Sequence, residues 1–334
     1  MKQQSFIQII IFLLSILIVF GFYFAISIPS PVIISQSFSI AKGEPINSIG
    51  SRLKQENLIY SEWLFRFYLK LIGKAKSIKA GYYIFPPRPS LVEVINFITD
   101  SKNIHDGIFL VKEGDTLKDI ERNLQNRNII NQNDSLESYL IADFINEYPL
   151  LFDGAPLNNN LEGYLFPDSY HFPPGLTTKE IINAFLSNFN NKIKENNINL
   201  TNKYSAYENI IMASILEKEV IGDTDKRLVA DILWRRLEKR MPLEVDASIC
   251  YALTKSFNDC KLSKDAFKID SPYNTYLYQG LPKTPISNPG LESLKAALNP
   301  LPNDYWYYLT DRKTGKTIYS KTYEEHLKMR QKYL

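Results

Sequence analysis

The sequence predicts an α+β protein in three parts: an N-terminal transmembrane helix, a repeated α+β region and a mixed α/β domain. Three observations predict this order. An apolar run without a charge covers residues 6–28, a strand–turn–helix pattern then occurs twice, and the C-terminal half combines long helical patterns with a final hairpin pattern. A chain of 334 residues is long enough for about two domains with a sizeable core.

The apolar run extends from Phe6 to Ile28. At ~1.5 Å per residue, a helix of this length reaches roughly 34 Å, which is enough to cross a ~30 Å hydrocarbon core. The alternative is a cleaved signal peptide, but the apolar cores of such peptides have only ~7–15 residues, so a retained anchor is favoured. Lys2 precedes the run, whereas Lys42 follows it and is offset by Glu44. We therefore expect a cytoplasmic tail at residues 1–5 and a single pass through the cell (inner) membrane, with the rest outside the cytoplasm.

Composition and charge exclude some classes of partner. The net charge is +3 and no run of five or six basic residues occurs, so no nucleic-acid partner is expected. The three histidines, His105, His171 and His326, lack the spacing of metal ligands, and no metal or cofactor is expected. Cys250 and Cys260 could form an extracytoplasmic disulfide or could both be buried thiols.

A repeat without gaps follows a linker at residues 29–37. Its first copy contains Phe38, Gly43, Ile46, Ile49, Leu53 and Asn57, and its second copy contains Phe109, Gly114, Leu117, Ile120, Leu124 and Asn128. Each copy predicts a strand, a glycine turn and an amphipathic helix, followed later by a Gly-Tyr-aromatic stretch that begins at Gly81 or Gly163. A period of about 71 residues is too long for a solenoid, so duplication of a small α+β unit is predicted.

The chain beyond Thr201 predicts mainly helices. One helix is predicted over residues 207–221 and a second over 225–240, separated by a cap at residues 222–224. Pro289 is expected at the first position of a short helix that Pro300 ends. A hairpin with strands at 306–310 and 317–320 and a last helix to Leu334 complete the chain.

Two glutamates, Glu217 and Glu219, lie in the otherwise apolar helical segment ASILEKEV at residues 213–220. Residues two apart on a helix are separated by about 200°, so these two cannot face one glycosidic bond as a pair. A single glutamate on an apolar face has its pKa raised by desolvation and can donate a proton near neutrality. The alternative is that both form ion pairs with nearby bases: Lys218, Arg227 or Arg235.

Two family resemblances bear on function. The stretch VKEGDTLKDI at 111–120, with FSIAKGEPINSI before it, resembles the opening of LysM-type modules, which bind glycans that contain N-acetylglucosamine. The chain as a whole is similar to the endolytic murein transglycosylase family, the YceG-like membrane enzymes. Five ordered blocks carry this resemblance: LEGYLFPDSY, ASILEKEV, MPLEVDASICYAL, SPYNTYLYQGLP with ISNPGLESLKAALNP, and YWYYLTDRKTGKTIYSKTYEEH. Together, the two resemblances imply a LysM-like subdomain at 38–105, a second LysM-like repeat at 106–160 and a YceG-like catalytic domain at 161–334.

The resemblance implies a lyase of cell-wall biogenesis and degradation. It would cleave the β-1,4 bond between N-acetylmuramic acid and N-acetylglucosamine in nascent peptidoglycan strands, leave a 1,6-anhydro end and terminate strand elongation. The first glutamate of the signature, Glu217, is implied as the catalytic acid. Because the nucleophile is the sugar's own 6-hydroxyl, one residue can act as acid and then as base. Association with glycan-polymerising synthases is also implied.

Two alternative functions are also compatible with the sequence. A hydrolytic muramidase would need a second carboxylate, ~5–5.5 Å or ~6.5–9.5 Å from the first, and Glu162, Asp168 and Asp246 are candidates. A non-catalytic, membrane-anchored glycan-binding protein is the other. Candidates for substrate binding are Glu162, Glu219, Asp246, Tyr273, Asn274 and Tyr276. Asp246 could instead cap the next element, and the tyrosines could pack in the core.

Overall fold

A computed structural model describes residues 2–41, 43–104, 108–127, 129–172, 176–254, 256–257, 260, 262–311 and 313–333. Lys42, His105, Asn128 and the predicted boundary between residues 105 and 106 lie outside the described residues. The chain divides into two units. Unit 1 contains Met1–Ile108 and His171–Gly175, and unit 2 contains Phe109–Tyr170 and Leu176–Leu334. The mixed α+β class is confirmed.

Unit 1 combines helices with a two-stranded sheet. Its elements are α1 (Lys2–Ser27), β1 (Gln36–Ile40), α2 (Ile46–Gln55), α3 (Glu62–Leu71), β2 (Gly81–Phe85), α4 (Leu91–Thr99) and a 3-10 turn at Ser101–Asn103. Strands β1 and β2 are antiparallel, with Phe38 opposite Tyr83. Side chains of residues 2–9 and 11 are outside the description, and among the side chains described no helix is long and apolar enough to cross a membrane.

The core of unit 1 follows from the period of each element. Alternate residues of the two strands, such as Phe38 and Tyr83, are buried. One face of α2 adds Leu53, and one face of α3 adds Phe65 and Leu69. Period two in the strands and period 3.6 in the helices thus direct both sets of apolar residues to one interior.

Unit 2 is mainly helical. Its elements are α5 (Leu117–Asn126), α6 (Thr178–Glu195), α7 (Ala206–Glu219), α8 (Asp223–Glu238), α9 (Asp246–Thr254), α10 (Leu291–Leu298), β5 (Tyr307–Thr310), β6 (Thr317–Ser320) and α11 (Tyr323–Tyr333), with 3-10 turns at Leu136–Ser138, Ile141–Asp143 and Ala266–Lys268. Strands β3 (Ile108–Leu110) and β4 (Ser169–His171) form a second two-stranded sheet. Helix α7 packs against α8, α9 and α10.

Both copies of the repeat contain the predicted elements. The first copy runs from β1 through Gly43 to α2, and the second runs from β3 through Gly114 to α5. Both glycines have positive φ, 82° and 79°, a conformation that residues with a Cβ rarely adopt. The strands β2 and β4, which pair with β1 and β3, lie in the two Gly-Tyr-aromatic stretches. The repeat therefore includes the partner strand as well as the strand–turn–helix segment.

The predicted helices of the C-terminal half are present with small shifts. Helix α7 begins one residue before the predicted start, after a capping box formed by Ser205 and Glu208. Helix α8 begins at Asp223, with Gly222 as its N-cap. The expectation that Pro289 opens the short helix is wrong, because α10 begins at Leu291 with Gly290 as N-cap. A Cβ at position 290 would meet the carboxylate of Glu113, an exposed side chain that would have to move.

The C-terminal hairpin is also present. Strands β5 and β6 are antiparallel, with Tyr308 opposite Tyr319. Of the two alternatives for the cysteines, the structure has the disulfide: Cys250 is joined to Cys260, with their Cα atoms 5.4 Å apart. The bond closes a short loop after α9.

Candidate active site

The last turn of α7 carries three charged residues. From Ala206 to Leu216 nearly every residue of α7 is buried, because neighbouring helices cover all of its faces. Glu217, Lys218 and Glu219 follow at about 100° intervals around the same axis. Each therefore enters a different environment, and the two glutamates differ in what surrounds them.

Glu217 forms a buried ion pair. Its Oε1 lies 3.1 Å from Nζ of Lys226, and the two side chains are only 7% and 6% exposed. Its Oε2 accepts hydrogen bonds of 2.8 Å from the backbone N of Gly290 and from Oγ of Ser293, at the amino end of α10. Both oxygens are thus engaged within the protein. Of the two alternatives for the glutamates, Glu217 has the ion pair, and its partner is Lys226 rather than Lys218, Arg227 or Arg235.

Glu219 is half-buried and has no cationic partner within ion-pair distance among the described residues. Oη of Tyr308 donates to its Oε2 at 3.0 Å, and the backbone N of Ala247 also donates to it. Burial raises the pKa of Glu219 to about 7, and the negative charge of Asp246 acts in the same direction, while the two hydrogen bonds oppose it. Near neutral pH, Glu219 therefore populates both its protonated and its ionised form.

Asp246 and Tyr276 adjoin Glu219. Asp246 is the first residue of α9 and is exposed. Oη of Tyr276 donates to Oδ1 of Asp246 at 2.6 Å. Burial, followed by this hydrogen bond to Asp246, raises the pKa of Tyr276, so its hydroxyl stays a donor. The pair fixes an anionic group at the solvent side of Glu219.

Arg236 holds together two of the segments that form this site. It is buried, and its guanidinium donates to the backbone oxygens of Trp306, Pro242 and Leu243 at 3.0–3.3 Å. It also pairs with Glu244 at 3.0 Å. These contacts connect the segment before α9 to the segment before β5. Asp246 begins α9 and Tyr308 lies in β5, so Arg236 fixes the two strands of chain that lead to them.

Glu162 lies in the interior. It is buried, and it accepts from the backbone N of Leu117 at 3.0 Å and from Oη of Tyr251 at 2.9 Å. Burial raises its pKa to about 8, and these hydrogen bonds lower it in part. Leu117 is the first residue of α5, so Glu162 satisfies a backbone group that the start of a helix leaves without an intrahelical partner. Its surroundings favour a structural role.

The other predicted candidates also make internal contacts. Asn274 is buried, donates to Phe267 O and Ile269 O, and accepts from the backbone N of Tyr276. Tyr273 shares a 2.9 Å hydrogen bond with Thr284 and packs its ring edge-on to Tyr251. Asp168 pairs with Lys192 at 3.0 Å. Of the candidates, the structure brings Asp246 and Tyr276 to Glu219 and places these others elsewhere.

Sequence reasoning missed Tyr308, Lys226 and Arg236. Tyr308 lies in the quoted C-terminal block, but the block contains four tyrosines within residues 305–319 and alternation does not say which of them reaches α7. Lys226 and Arg236 occupy α8 at buried positions. The available signal was their spacing. Both bases lie at positions that continue the apolar face of α8, which indicates that their side chains are buried and need partners.

Comparisons with known proteins point to one family. A sequence model of the YceG-like family matches residues 38–332. The endolytic murein transglycosylase of Bacillus subtilis is 33% identical over 308 residues, which cover 89% of this chain and 84% of that protein. The endolytic murein transglycosylase of Streptococcus pneumoniae is 26% identical, and the match covers 86% of this chain but 56% of the longer pneumococcal protein. A crystal structure of a YceG-like protein from Listeria monocytogenes matches with a TM-score of 0.61 and 31% identity, over 88% of this chain and 99% of that one.

Proposed function

This chain belongs to the YceG-like family, and we propose that it is an endolytic lytic transglycosylase of peptidoglycan whose general acid and base is Glu219. The activity follows from the family and from the transglycosylases that the chain resembles over most of its length. One observation carries the choice of residue: burial beside Asp246 raises the pKa of a half-buried carboxyl to about 7. A group with that pKa is suited to give a proton and take one back near neutral pH.

The proposed reaction needs one carboxyl group and no water. Protonated Glu219 gives its proton to the oxygen that links C1 of N-acetylmuramic acid to N-acetylglucosamine, and the C1–O bond breaks. The 6-hydroxyl oxygen of the same muramic acid forms a bond to C1, and its proton passes to the carboxylate of Glu219. The products are a 1,6-anhydro end and a free 4-hydroxyl, and the enzyme regains its starting form. Intramolecular attack is favoured by a high effective molarity.

The surroundings of the two glutamates favour Glu219 over Glu217. A proton donor must have an oxygen free to approach the substrate, and Glu217 uses both oxygens for Lys226, Gly290 and Ser293. Lys226 is itself almost fully enclosed with it. The resemblance implied Glu217 as the catalytic acid, and this assignment remains a second proposal. A variant that removes the charge of Glu217 and still folds distinguishes the two proposals.

Asp246 gives the proposed site a second function. Asp246 raises the pKa of Glu219 by its negative charge, and it would also stabilise the positive charge that develops at C1 as the bond breaks. Tyr276 holds Asp246 in place by its 2.6 Å hydrogen bond. The proximity of Asp246 to Glu219 also supports the hydrolytic alternative, in which Asp246 would act as the second carboxylate.

We propose that the N-terminal helix anchors the enzyme. Residues 6–28 carry no charge, and all of them except Ile28 lie within α1, which has 26 residues. Residues 1–5 would lie in the cytoplasm, and the chain after residue 28 would lie outside it, where the disulfide between Cys250 and Cys260 would persist. A tether of this kind keeps the active site close to strands that are being made at the inner membrane.

We also propose that the two repeats contact the glycan and that the enzyme associates with glycan-polymerising synthases. The strand–glycine–helix elements that begin at β1 and β3 support LysM-like subdomains at residues 38–105 and 106–160 that contact the glycan, ahead of the catalytic domain at 161–334. Cleavage of a strand while it is being polymerised would terminate its elongation. Such timing would be served by association with glycan-polymerising synthases.

Product analysis tests the proposed function. Purified glycan strands are digested with the protein and the fragments are weighed by mass spectrometry. The lytic reaction predicts 1,6-anhydro ends, whereas a hydrolytic product is heavier by one water. Fragments with only reducing muramic acid would support the muramidase alternative, and intact strands that still bind the protein would support the non-catalytic one.

A further inference from the structure

Helix α3 is apolar on two faces. One face packs Phe65 and Leu69 into the core of unit 1, where they are 0% and 1% exposed. On another face, Trp63, Phe67 and Leu71 are 64%, 43% and 61% exposed. These three residues recur every four positions, about 40° apart around the helix, and form one continuous stripe. Exposed apolar patches of this kind mark contacts with a partner or a membrane.

The stripe is continuous with the N-terminal helix. The rings of Trp63 and Phe67 stack with centroids 5.2 Å apart, and Phe22 of α1 lies edge-on to Phe67 at 5.7 Å. Phe22 precedes Ile28, the end of the apolar run, by six residues, which corresponds to about 9 Å along a helix. If α1 is the anchor, this contact holds α3 within the outer ~5–10 Å of the bilayer, the depth at which interfacial helices lie.

The charge around the stripe complements an anionic lipid surface. Between Glu62 and Glu93 the chain has no acidic residue, and it has six basic ones: Arg66, Lys70, Lys74, Lys76, Lys79 and Arg88. Arg66 and Lys70 lie on α3 within about 60° of Trp63 and are exposed. A tryptophan-containing apolar stripe with bases beside it is typical of helices that lie in the membrane interface.

We propose that α3 is an interfacial membrane helix that inserts Trp63, Phe67 and Leu71 among the lipids and places Arg66 and Lys70 on anionic headgroups. This inference rests on the proposed anchor. Two attachments, one across the bilayer and one along its surface, would fix the orientation of unit 1, whereas α1 alone would leave it free to rotate about the helix axis. The partner is lipid, and a second copy of the chain or a helix of another protein is the competing occupant.

Depth-dependent quenching tests the proposal with the full chain. The disulfide leaves no free thiol among the described residues, so Leu71→Cys introduces a single site for a fluorescent label without removing the Trp63–Phe67 stack. The protein is placed in nanodiscs of phosphatidylcholine and phosphatidylglycerol that contain a lipid with a nitroxide near its headgroup. Gln55→Cys, an exposed position on α2, is the matched control, and Leu17→Cys, on α1, reports on the anchor.

The expected result is quenching of the label at position 71 several-fold stronger than at 55. It should weaken in the Trp63→Ser/Phe67→Ser background and when phosphatidylglycerol is left out. Equal quenching at 71 and 55, with strong quenching at 17 by a nitroxide deep in the bilayer, would overturn the interfacial helix and keep the anchor. Quenching at 71 that survives the double substitution would also overturn it. No quenching at 17 would overturn the anchor itself.

Discussion

Tyr308 and Glu219 are joined by a hydrogen bond of 3.0 Å across 89 positions of sequence. The phenol donates to the carboxylate and thereby lowers the pKa of Glu219, but burial has the larger effect and leaves that pKa at about 7. The balance between these two influences determines how much of Glu219 carries a proton at a given pH. This site and three other features of the structure lead to four predictions.

The first concerns the pH dependence of cleavage. In the proposed mechanism Glu219 acts in its protonated form, so kcat/KM should fall as pH rises through about 7. Tyr308→Phe removes a hydrogen bond that favours the carboxylate, so the fall in kcat/KM should shift to higher pH. The measurement is kcat/KM across the pH range, with Tyr278→Phe as control, since Tyr278 bonds to the exposed Asp270 instead. A Tyr308→Phe profile that coincides with the native one would contradict the assignment.

The second concerns stability and pH. Burial raises the folded-state pKa of Glu162 from 4.5 to about 8. The folded protein therefore binds more protons than the unfolded chain between these values, and the free energy of unfolding should decrease as pH rises through this window. Glu162→Gln should reduce this slope, measured from urea unfolding at several pH values. An unchanged slope would show that other groups dominate it.

The third concerns the buried ion pair. Glu217→Gln leaves the ammonium of Lys226 enclosed without its carboxylate, and such a loss destabilises a protein by about 3–5 kcal/mol. Lys226→Met should be similarly harmful by leaving Glu217 unpaired. The double variant Glu217→Gln/Lys226→Met removes both charges and should recover much of the stability. Denaturant unfolding of the four proteins gives the coupling free energy, and additive effects would contradict a paired role.

The fourth concerns the disulfide. Cys250→Ser/Cys260→Ser should lower the free energy of unfolding by about 2–4 kcal/mol, because the bond restricts the unfolded chain. The closed loop also contains Phe257, whose ring lies 4.1 Å from Nζ of Lys218. Peptide mapping without reductant should give one linked fragment that contains both cysteines. Two freely alkylated thiols in protein from an oxidising compartment would contradict the structure.

The sequence predicted the helices and the hairpin because their signals are local. Helix α7 was predicted from an almost continuous apolar run, and the break at residues 222–224 separates it from α8. The surroundings of the two glutamates were not predictable in this way. Glu217 is engaged by Gly290, and Glu219 by Tyr308, residues separated from them by 73 and 89 positions. Which carboxylate forms an ion pair and which has its pKa raised is decided by tertiary contacts that no local pattern specifies.

The most direct test is the rate at which the Glu219→Gln protein forms 1,6-anhydro ends on purified glycan strands. Glutamine keeps the shape of the side chain and removes the proton that it transfers, so we expect the rate to fall by at least ~10²–10⁴ with little change in unfolding free energy. The Glu217→Gln/Lys226→Met protein should remain active in the same assay. Native-like cleavage by Glu219→Gln, together with a folded but inactive double variant, would contradict the assignment and return the chemistry to Glu217.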